Sequence, residues 1–459
     1  MLQSDESGSE TKIEQDVIAF GKDIFKELGN QQPSSYSKNY WSGKAMAFSM
    51  ERPELKTNLF RLVDVLPALR NSSAITSHVQ EYLADSAKEI SGLLEWGVSA
   101  KPGSIRGGLT SVVTKKMVSE MARQFIAGET PNEALKPLRS MRKQGLCFTV
   151  DLLGEYCVSE PEALEYLSRY ESALKVFGAN VNRWKESSPI IDNHPGETSP
   201  ICISVKLSAL YSQAYPLNFK KSVEILSERL ALLVRQAKSL GAMLYVDAED
   251  TAHNPIIYQV FEEVFGSKEF LDFPFPGIVL QAYTRDSEAR LKSLLQLAQR
   301  RANPIAVRLV KGAYWDAETV LAAQNNWASP LFSIKESSDA NFEHLSRILV
   351  DNHGLCLPAF GSHNIRSLCY ACCYAESKGL TSKDFELQML YGMAEPIAKA
   401  FSQQGYLVRL YVPLGELLPG MGYLVRRLLE NTSNESFLKH TFVDSKEVEH
   451  LLKAPQFRD

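Results

Sequence analysis

"ICISVKLSAL" (residues 201–210), "NFKKSVEILSERLALLVRQAKSLG" (218–241) and "AMLYVDAED" (242–250) follow one another along the chain. An apolar run, a long amphipathic stretch and a second apolar run read as strand, helix, strand. A helix between two strands returns the chain to begin a parallel neighbour, with a right-handed crossover. The same texture extends both ways, through "LCFTVDLLGE" (146–155), "GIVLQAYTRD" (277–286), "IAVRLVKGAY" (305–314), "CLPAFGSHN" (356–364), "FELQMLYGM" (385–393) and "YLVRLYVPLG" (406–415). Eight such units match the size of a closed (βα)8 barrel, which takes about 250 residues. An open doubly wound sheet is the second reading. The loop "ESSPIIDNHPGETSP" (186–200) is longer than the fold needs and reads as a surface insertion.

Before Gly145 the pattern is helical. "IEQDVIAFGKDIFKEL" places Ile13, Val17, Phe20, Ile24 and Leu28 at helical intervals. "LKTNLFRLVDVLPALR" and "ITSHVQEYLADSAKEISGLLEWG" behave alike, "KPGSIRGG" (101–108) breaks the run, and another helix follows to about Ile126. With 459 residues, 44% hydrophobic, 23% charged and a net charge of -4, the chain has no basic stripe for nucleic acid. No apolar run approaches the ~18 residues of a membrane span. The opening "MLQSDESGSETK" is neither signal nor transit peptide, so the cytoplasm is expected. Seven cysteines have no framework spacing, and Cys369, Cys372 and Cys373 read as buried thiols, with no metal site expected. The P-loop and the glycine-rich dinucleotide fingerprint are absent.

Barrel active sites lie at the C-terminal ends of the strands. Polar groups recur there: Asp151 and Glu155, Lys206, Asp247 and Glu249, Gln281, Arg308 and Lys311, His363 and Asn364, Gln388, and Tyr411. Lys206 sits between Val205 and Leu207, where an unpartnered ammonium is costly. Asp247 and Glu249, two apart, are expected on one strand face and could neutralise Lys206 or Arg308. Three cations and several neutral donors, with no His–Ser or His–Cys pair, suit an anionic cofactor and an anionic substrate better than hydrolysis. A Schiff-base lyase or aldolase using Lys206 is the alternative, as is a non-catalytic amino-acid-binding module.

Near the end, "GYLVRRLLENTSN" (422–434) places two arginines in an apolar helical run. Tyr423, Arg426, Arg427 and Glu430 share one face, opposite Leu424, Val425, Leu428 and Leu429. Such a stripe is either a solvated face or a twin-arginine clamp for a carboxylate.

"ISVKLSALY", "YVDAED", "VRLVKGAYWDAE", "FGSHN", "FELQMLYGMAEP" and "YLVRRLLENTSNESF" together resemble the proline dehydrogenase domain of bacterial proline utilization A, from about Leu55 to Phe442. The resemblance implies a distorted (βα)8 TIM-like barrel preceded by an all-helical arm and a small α-helical domain. The implied boundaries are 1–55 for the arm, 56–140 for the small domain, 141–442 for the barrel and 443–459 for a tail. The implied enzyme oxidises L-proline to Δ1-pyrroline-5-carboxylate with FAD and passes electrons to a membrane quinone. Contact with the inner face of the membrane and a separate or fused pyrroline-5-carboxylate dehydrogenase follow as implied partners.

Carried over by motif, Arg426 and Arg427 would bind the proline carboxylate, with Lys206 below and Glu155 pairing the first arginine in the empty site. Tyr314, Leu390, Tyr411 and Tyr423 resemble the walls around the ring. Lys206, Arg308 and Asp247 resemble the catalytic set, with Arg308 the donor to flavin N5 and Asp247 the acid beneath. Gln281, Val310, Lys311, Gly312, Ala313, Tyr314, Trp315, Ser338, Ser362, His363, Asn364, Gln388, Leu390 and Glu430 resemble the rest of the FAD site. Ser333-Ile334-Lys335 departs from the family's usual Thr-Arg-Lys, Ser337 and Ser338 stand for threonines, and "FGSHN" for "FATHN". The chain stops where bifunctional members continue into an aldehyde dehydrogenase, and no DNA-binding segment opens it. It reads as a one-activity relative or a piece of a longer protein.

Overall fold

The structure is a computed structural model. It describes residues 2–30, 53–87, 96, 98–154, 156–184, 200–274, 276–301, 303–393, 395–416 and 445–459. Glu155, Tyr423, Arg426, Arg427, Glu430 and the 186–199 part of the insertion lie outside the described residues.

All eight apolar runs are strands. They are β1 (Cys147–Leu152), β2 (Cys202–Val205), β3 (Met243–Val246), β4 (Gly277–Gln281), β5 (Ile305–Val310), β6 (Cys356–Gly361), β7 (Glu386–Leu390) and β8 (Val408–Leu414). Neighbours pair in parallel and β8 closes on β1, from Cys147 opposite Arg409 to Leu152 opposite Leu414. The barrel reading therefore holds over the open sheet. Helices such as Glu160–Asn180, Phe219–Leu240 and Ile365–Ser377 separate the strands. Their starts are set locally: Ser159 and Asn364 accept from the backbone N–H of Glu162 and Ser367.

The apolar core lies between strands and helices, with Val150, Ile203, Leu244, Leu280, Leu309 and Val412 buried against Leu174, Leu230, Phe261 and Leu345. Inside the barrel a small cluster of Cys202, Met243, Tyr245, Ala306 and Leu357 packs beside polar side chains. Arg409 Nε lies 2.9 Å from Glu386 Oε1, both side chains are buried, and Arg409 Nη1 donates to the Phe148 carbonyl at 3.1 Å.

The helix Leu2–Asn30 packs outside the barrel, on Ile365–Ser377 and Glu395–Gln403. Phe20 meets Phe401 edge-on at 5.8 Å. Arg366 joins three parts of the chain, pairing with Glu14 at 2.6 Å and Glu343 at 2.8 Å and donating to the Leu452 carbonyl at 3.0 Å. A second cluster, including Leu62, Ile75, Val79, Leu83 and Val118, packs with Phe125, Ile126 and Met393 and against Leu153 and Leu390. It thus abuts the ends of β1 and β7. The break expected at 101–108 is shorter than read: the helix runs Ile105–Ala122, with Gly107 inside it. A Cβ there would meet the Lys101 carbonyl at 2.6 Å, so the glycine serves a close approach rather than a loop.

Removing one partner of a buried ion pair strands the other charge, at about 3–5 kcal/mol. Glu386→Leu should lose roughly that much in urea unfolding, and adding Arg409→Met should restore most of it. An unchanged midpoint in the single variant would refute the axial pair's role.

Candidate functional site at the C-terminal mouth of the barrel

The strand period of two aims Thr149 and Asp151 of β1, Ser204 of β2, Arg308 of β5, Gln388 of β7 and Tyr411 of β8 to the barrel axis. Arg308, 4% exposed, donates from Nη1 to Asp247 Oδ1 at 2.9 Å and to Ser204 Oγ at 3.1 Å, and from Nε to Gln388 Oε1. Its guanidinium lies 4.1 Å from the centre of the Tyr245 ring. Its Nη2 is buried without a hydrogen-bond partner.

Lys206 follows β2 directly and is also buried. Its ammonium pairs with Asp151, donates to the Tyr411 hydroxyl at 3.2 Å and lies 3.7 Å from Asp247 Oδ2. Tyr411 in turn donates to Asp247 Oδ2 at 2.6 Å. Burial pushes the Asp151 carboxyl up to about 6 against the pull of Lys206. Burial, with Asp151 and Asp247 beside it, also holds the Tyr411 hydroxyl well above its ordinary value.

Asp247 and Glu249 do not share a strand face. β3 ends at Val246, and the loop sends Asp247 to Arg308 and Tyr411 while the Glu249 carboxylate accepts from Ser208 N at 3.0 Å and from Ser208 Oγ. Period two fails once the chain leaves the strand. Gln281 donates to the Glu249 carbonyl at 2.9 Å and accepts from Asn254 at 2.8 Å.

Beyond β6, His363 Nε2 accepts from Leu390 N at 3.1 Å, and Ser362 N donates to the Gln388 carbonyl at 3.1 Å. This ties the Ser362–Asn364 turn to β7, and Asn364 also caps the helix after it. Beyond β5, Val310 and Lys311 supply carbonyls to Ala282 N and Tyr283 N, both at 2.8 Å. Lys311 pairs with Asp339. Gly312 has φ +132, and a Cβ there would lie 2.5 Å from the Tyr283 ring, so only glycine fits. Ala313 is exposed, Tyr314 half-buried, and Trp315 donates to the Phe332 carbonyl at 2.8 Å.

The tail reaches this edge. Asp459 accepts from Ser333 N at 2.9 Å, Ile334 N at 3.0 Å and Arg285 at 3.1 Å, while Ser337 Oγ accepts from Arg458 N at 3.0 Å. Ser337 is therefore engaged by the tail, while Ser338 Oγ is buried without a hydrogen-bond partner.

The profile described as "Proline dehydrogenase" matches residues 134–440, about two-thirds of the chain. The chain belongs to the proline dehydrogenase family. A second profile, "Proline utilization A N-terminal domain", matches residues 14–125. The chain is 30% identical over 342 residues to the bifunctional protein PutA of Escherichia coli K12, covering 73% of itself and 25% of that protein. It is 26% identical over 319 residues to proline dehydrogenase 1 of Bacillus subtilis strain 168, covering 69% of itself and 89% of that one. A crystal structure of Bdellovibrio bacteriovorus PutA inactivated by N-propargylglycine superposes with a TM-score of 0.86 at 41% identity, over 96% of this chain and 44% of that one. The chain thus spans a quarter of the E. coli PutA that it matches.

Of the residues expected in this proline dehydrogenase fold's site, Lys206, Asp247, Arg308, Gln388 and Tyr411 form one connected cluster. Gln281, the 310–315 loop and the 362–364 turn stand at neighbouring strand ends. The roles of Ser204, Tyr245, Asn254, Glu386 and Arg409 were not foreseen. Glu386 and Arg409 could have been: each lies two residues before an expected site residue, Gln388 or Tyr411, on the same inward face.

No group of His, Cys, Asp and Glu suited to a metal occurs among the described residues, and all seven cysteines are buried. Burial raises the thiols, Cys157 to about 11 and Cys356 to about 12, which keeps them protonated near neutrality. Ellman's reagent at pH 8 should find few reactive thiols in native protein and seven after denaturation. Fast native labelling of several would contradict this packing.

Proposed function

We propose that this chain oxidises L-proline to Δ1-pyrroline-5-carboxylate with FAD, and that the electrons pass to a membrane quinone. The observation that carries the reading is Arg308, a buried cation held by Asp247, Ser204 and Gln388 with Nη2 to offer. Family membership supports it. The buried unpartnered atoms fit a flavin: Arg308 Nη2, Ser338 Oγ and Asn254 Oδ1 are each left over at or near this mouth. When bound, FAD supplies the hydride acceptor.

This chain's residues do the holding. Arg308 would donate to the flavin ring and Gln281 to its edge. Val310, Lys311, Gly312, Ala313, Trp315, Ser362, His363 and Asn364 would hold the rest of the cofactor, together with Ser338, Gln388, Leu390 and Glu430. Arg426, Arg427 and Lys206 grip the substrate carboxylate, and Glu155 pairs with Arg426 when the site is empty. Tyr314, Leu390, Tyr411 and Tyr423 wall the ring. Fixed cations where negative charge grows, and a substrate clamped in position, are the two sources of rate. Asp247 keeps Arg308 and Tyr411 in place.

The same reading divides the chain into arm (1–55), small domain (56–140), barrel (141–442) and tail (443–459). It places the enzyme in the cytoplasm, meeting the inner face of the membrane through its acceptor, and hands the product to a pyrroline-5-carboxylate dehydrogenase, separate or fused. Among the described residues no helix is long and apolar enough to cross a membrane. The Schiff-base alternative needs a neutral Lys206, whereas its ammonium is paired with Asp151 and stands 3.7 Å from Asp247.

Purified protein should be yellow and release FAD on denaturation, and borohydride with a 2-oxo acid such as pyruvate should trap no adduct on Lys206. A colourless folded sample that takes up no added flavin would overturn the reading. A charge-assisted hydrogen bond is worth roughly 1.5–3 kcal/mol, about a ten- to hundredfold change in affinity. Arg426→Met and Arg427→Met should each raise the proline concentration needed for flavin reduction by that factor and keep the flavin spectrum. In stopped-flow reduction, unchanged apparent affinity in both variants leaves the clamp unsupported.

A further inference from the structure

Lys206 already has an anionic partner in this structure. Asp151 lies on β1 with its side chain fully buried, one oxygen on the Lys206 ammonium and Oδ2 without a hydrogen-bond partner. Among the described residues, the charged and titratable groups facing this pair include Asp247 from the loop after β3, Arg308 from β5, Tyr411 from β8, and Tyr170 from the helix Glu160–Asn180, whose hydroxyl accepts from Lys206 N at 3.2 Å. Among the described residues two carboxylates and two cations balance. A substrate carboxylate drawn to Lys206 competes with Asp151 for its ammonium, and a buried carboxylate that loses its cation is costly to keep ionised.

We infer that Asp151 is a positioning residue that stands in for the substrate carboxylate on Lys206 and takes up a proton when a substrate carboxylate displaces it. The inference rests on Lys206 meeting that carboxylate. Burial raises Asp151 to about 6, and Lys206 is the largest influence opposing the rise. An ammonium shared with another anion opposes it less, so Asp151 climbs further in the complex. Near pH 7 the group is mostly ionised in the empty site and becomes protonated in the filled one. The proton comes from solvent and settles on the Asp151 carboxylate, and no other bond changes. By linkage, affinity falls by up to about tenfold per pH unit above roughly 6.

Isothermal titration of the FAD-loaded protein with cyclopentanecarboxylate tests this, since that ligand has no ring nitrogen to titrate. Two buffers of different ionisation heat at pH 7 give the proton count. The expected result is uptake approaching one proton, with Kd rising up to about tenfold from pH 7 to pH 8. Asp151→Asn should bind with no proton uptake and a flat pH profile. Lys206→Gln should bind more weakly and also lose the uptake, because Asp151 without its ammonium is protonated beforehand. That variant decides the matter if Asp151→Asn fails to fold. Binding without proton uptake in the wild type overturns the inference alone, as does uptake that persists in either variant. No binding in the wild type overturns both the inference and the substrate reading beneath it.

Discussion

A line of charge runs up the inside of the barrel. It begins at the Phe148 carbonyl with Arg409 and Glu386, passes through Gln388 to Arg308, and continues by Asp247 and Tyr411 to Lys206 and Asp151. Every member but the half-buried Tyr411 is buried, so each needs its neighbours. Four strands, β1, β5, β7 and β8, contribute to the line, and the loops directly after β2 and β3 add Lys206 and Asp247. A slip of one residue in any of them would turn its polar group outward and leave a partner stranded. The mouth chemistry and the strand register are thus one constraint.

Around that axis the fold supplies two supports. Arg366 binds the N-terminal helix, a barrel helix and the segment after Ser445–Leu451 to one guanidinium. The small helical cluster packs on Leu153 and Leu390, next to the ends of β1 and β7. These supports keep rigid the strand ends from which the site is built, which suits positioning chemistry better than chemistry by a mobile nucleophile.

Much of this was legible in the residues. Eight apolar runs with helical stretches between them call for parallel strands, and eight units of that size match a barrel, while the pairing of β8 with β1 decides closure over an open sheet. The polar residues two apart in "FELQ" and "VRLY" mark the inward face that Gln388 and Tyr411 take, although Glu386 and Arg409 were not read there. Asp247 and Glu249 misled, because the same spacing was read across the end of β3 into a loop. The glycine at 107 misled for a related reason: a local break and a close tertiary approach leave the same mark in a sequence.

The sequence by itself determined the eight strands, the cations at their ends and the burial of the thiols, since periodicity and hydrophobicity are local properties of the chain. Partnership was decided only by tertiary structure. Asp151 and Lys206 are 55 positions apart, Arg308 and Asp247 61, and Asp459 and Ser333 126. Which carboxylate meets which cation depends on barrel closure and register, because an ion pair is fixed by distance in space and its strength by the water excluded around it.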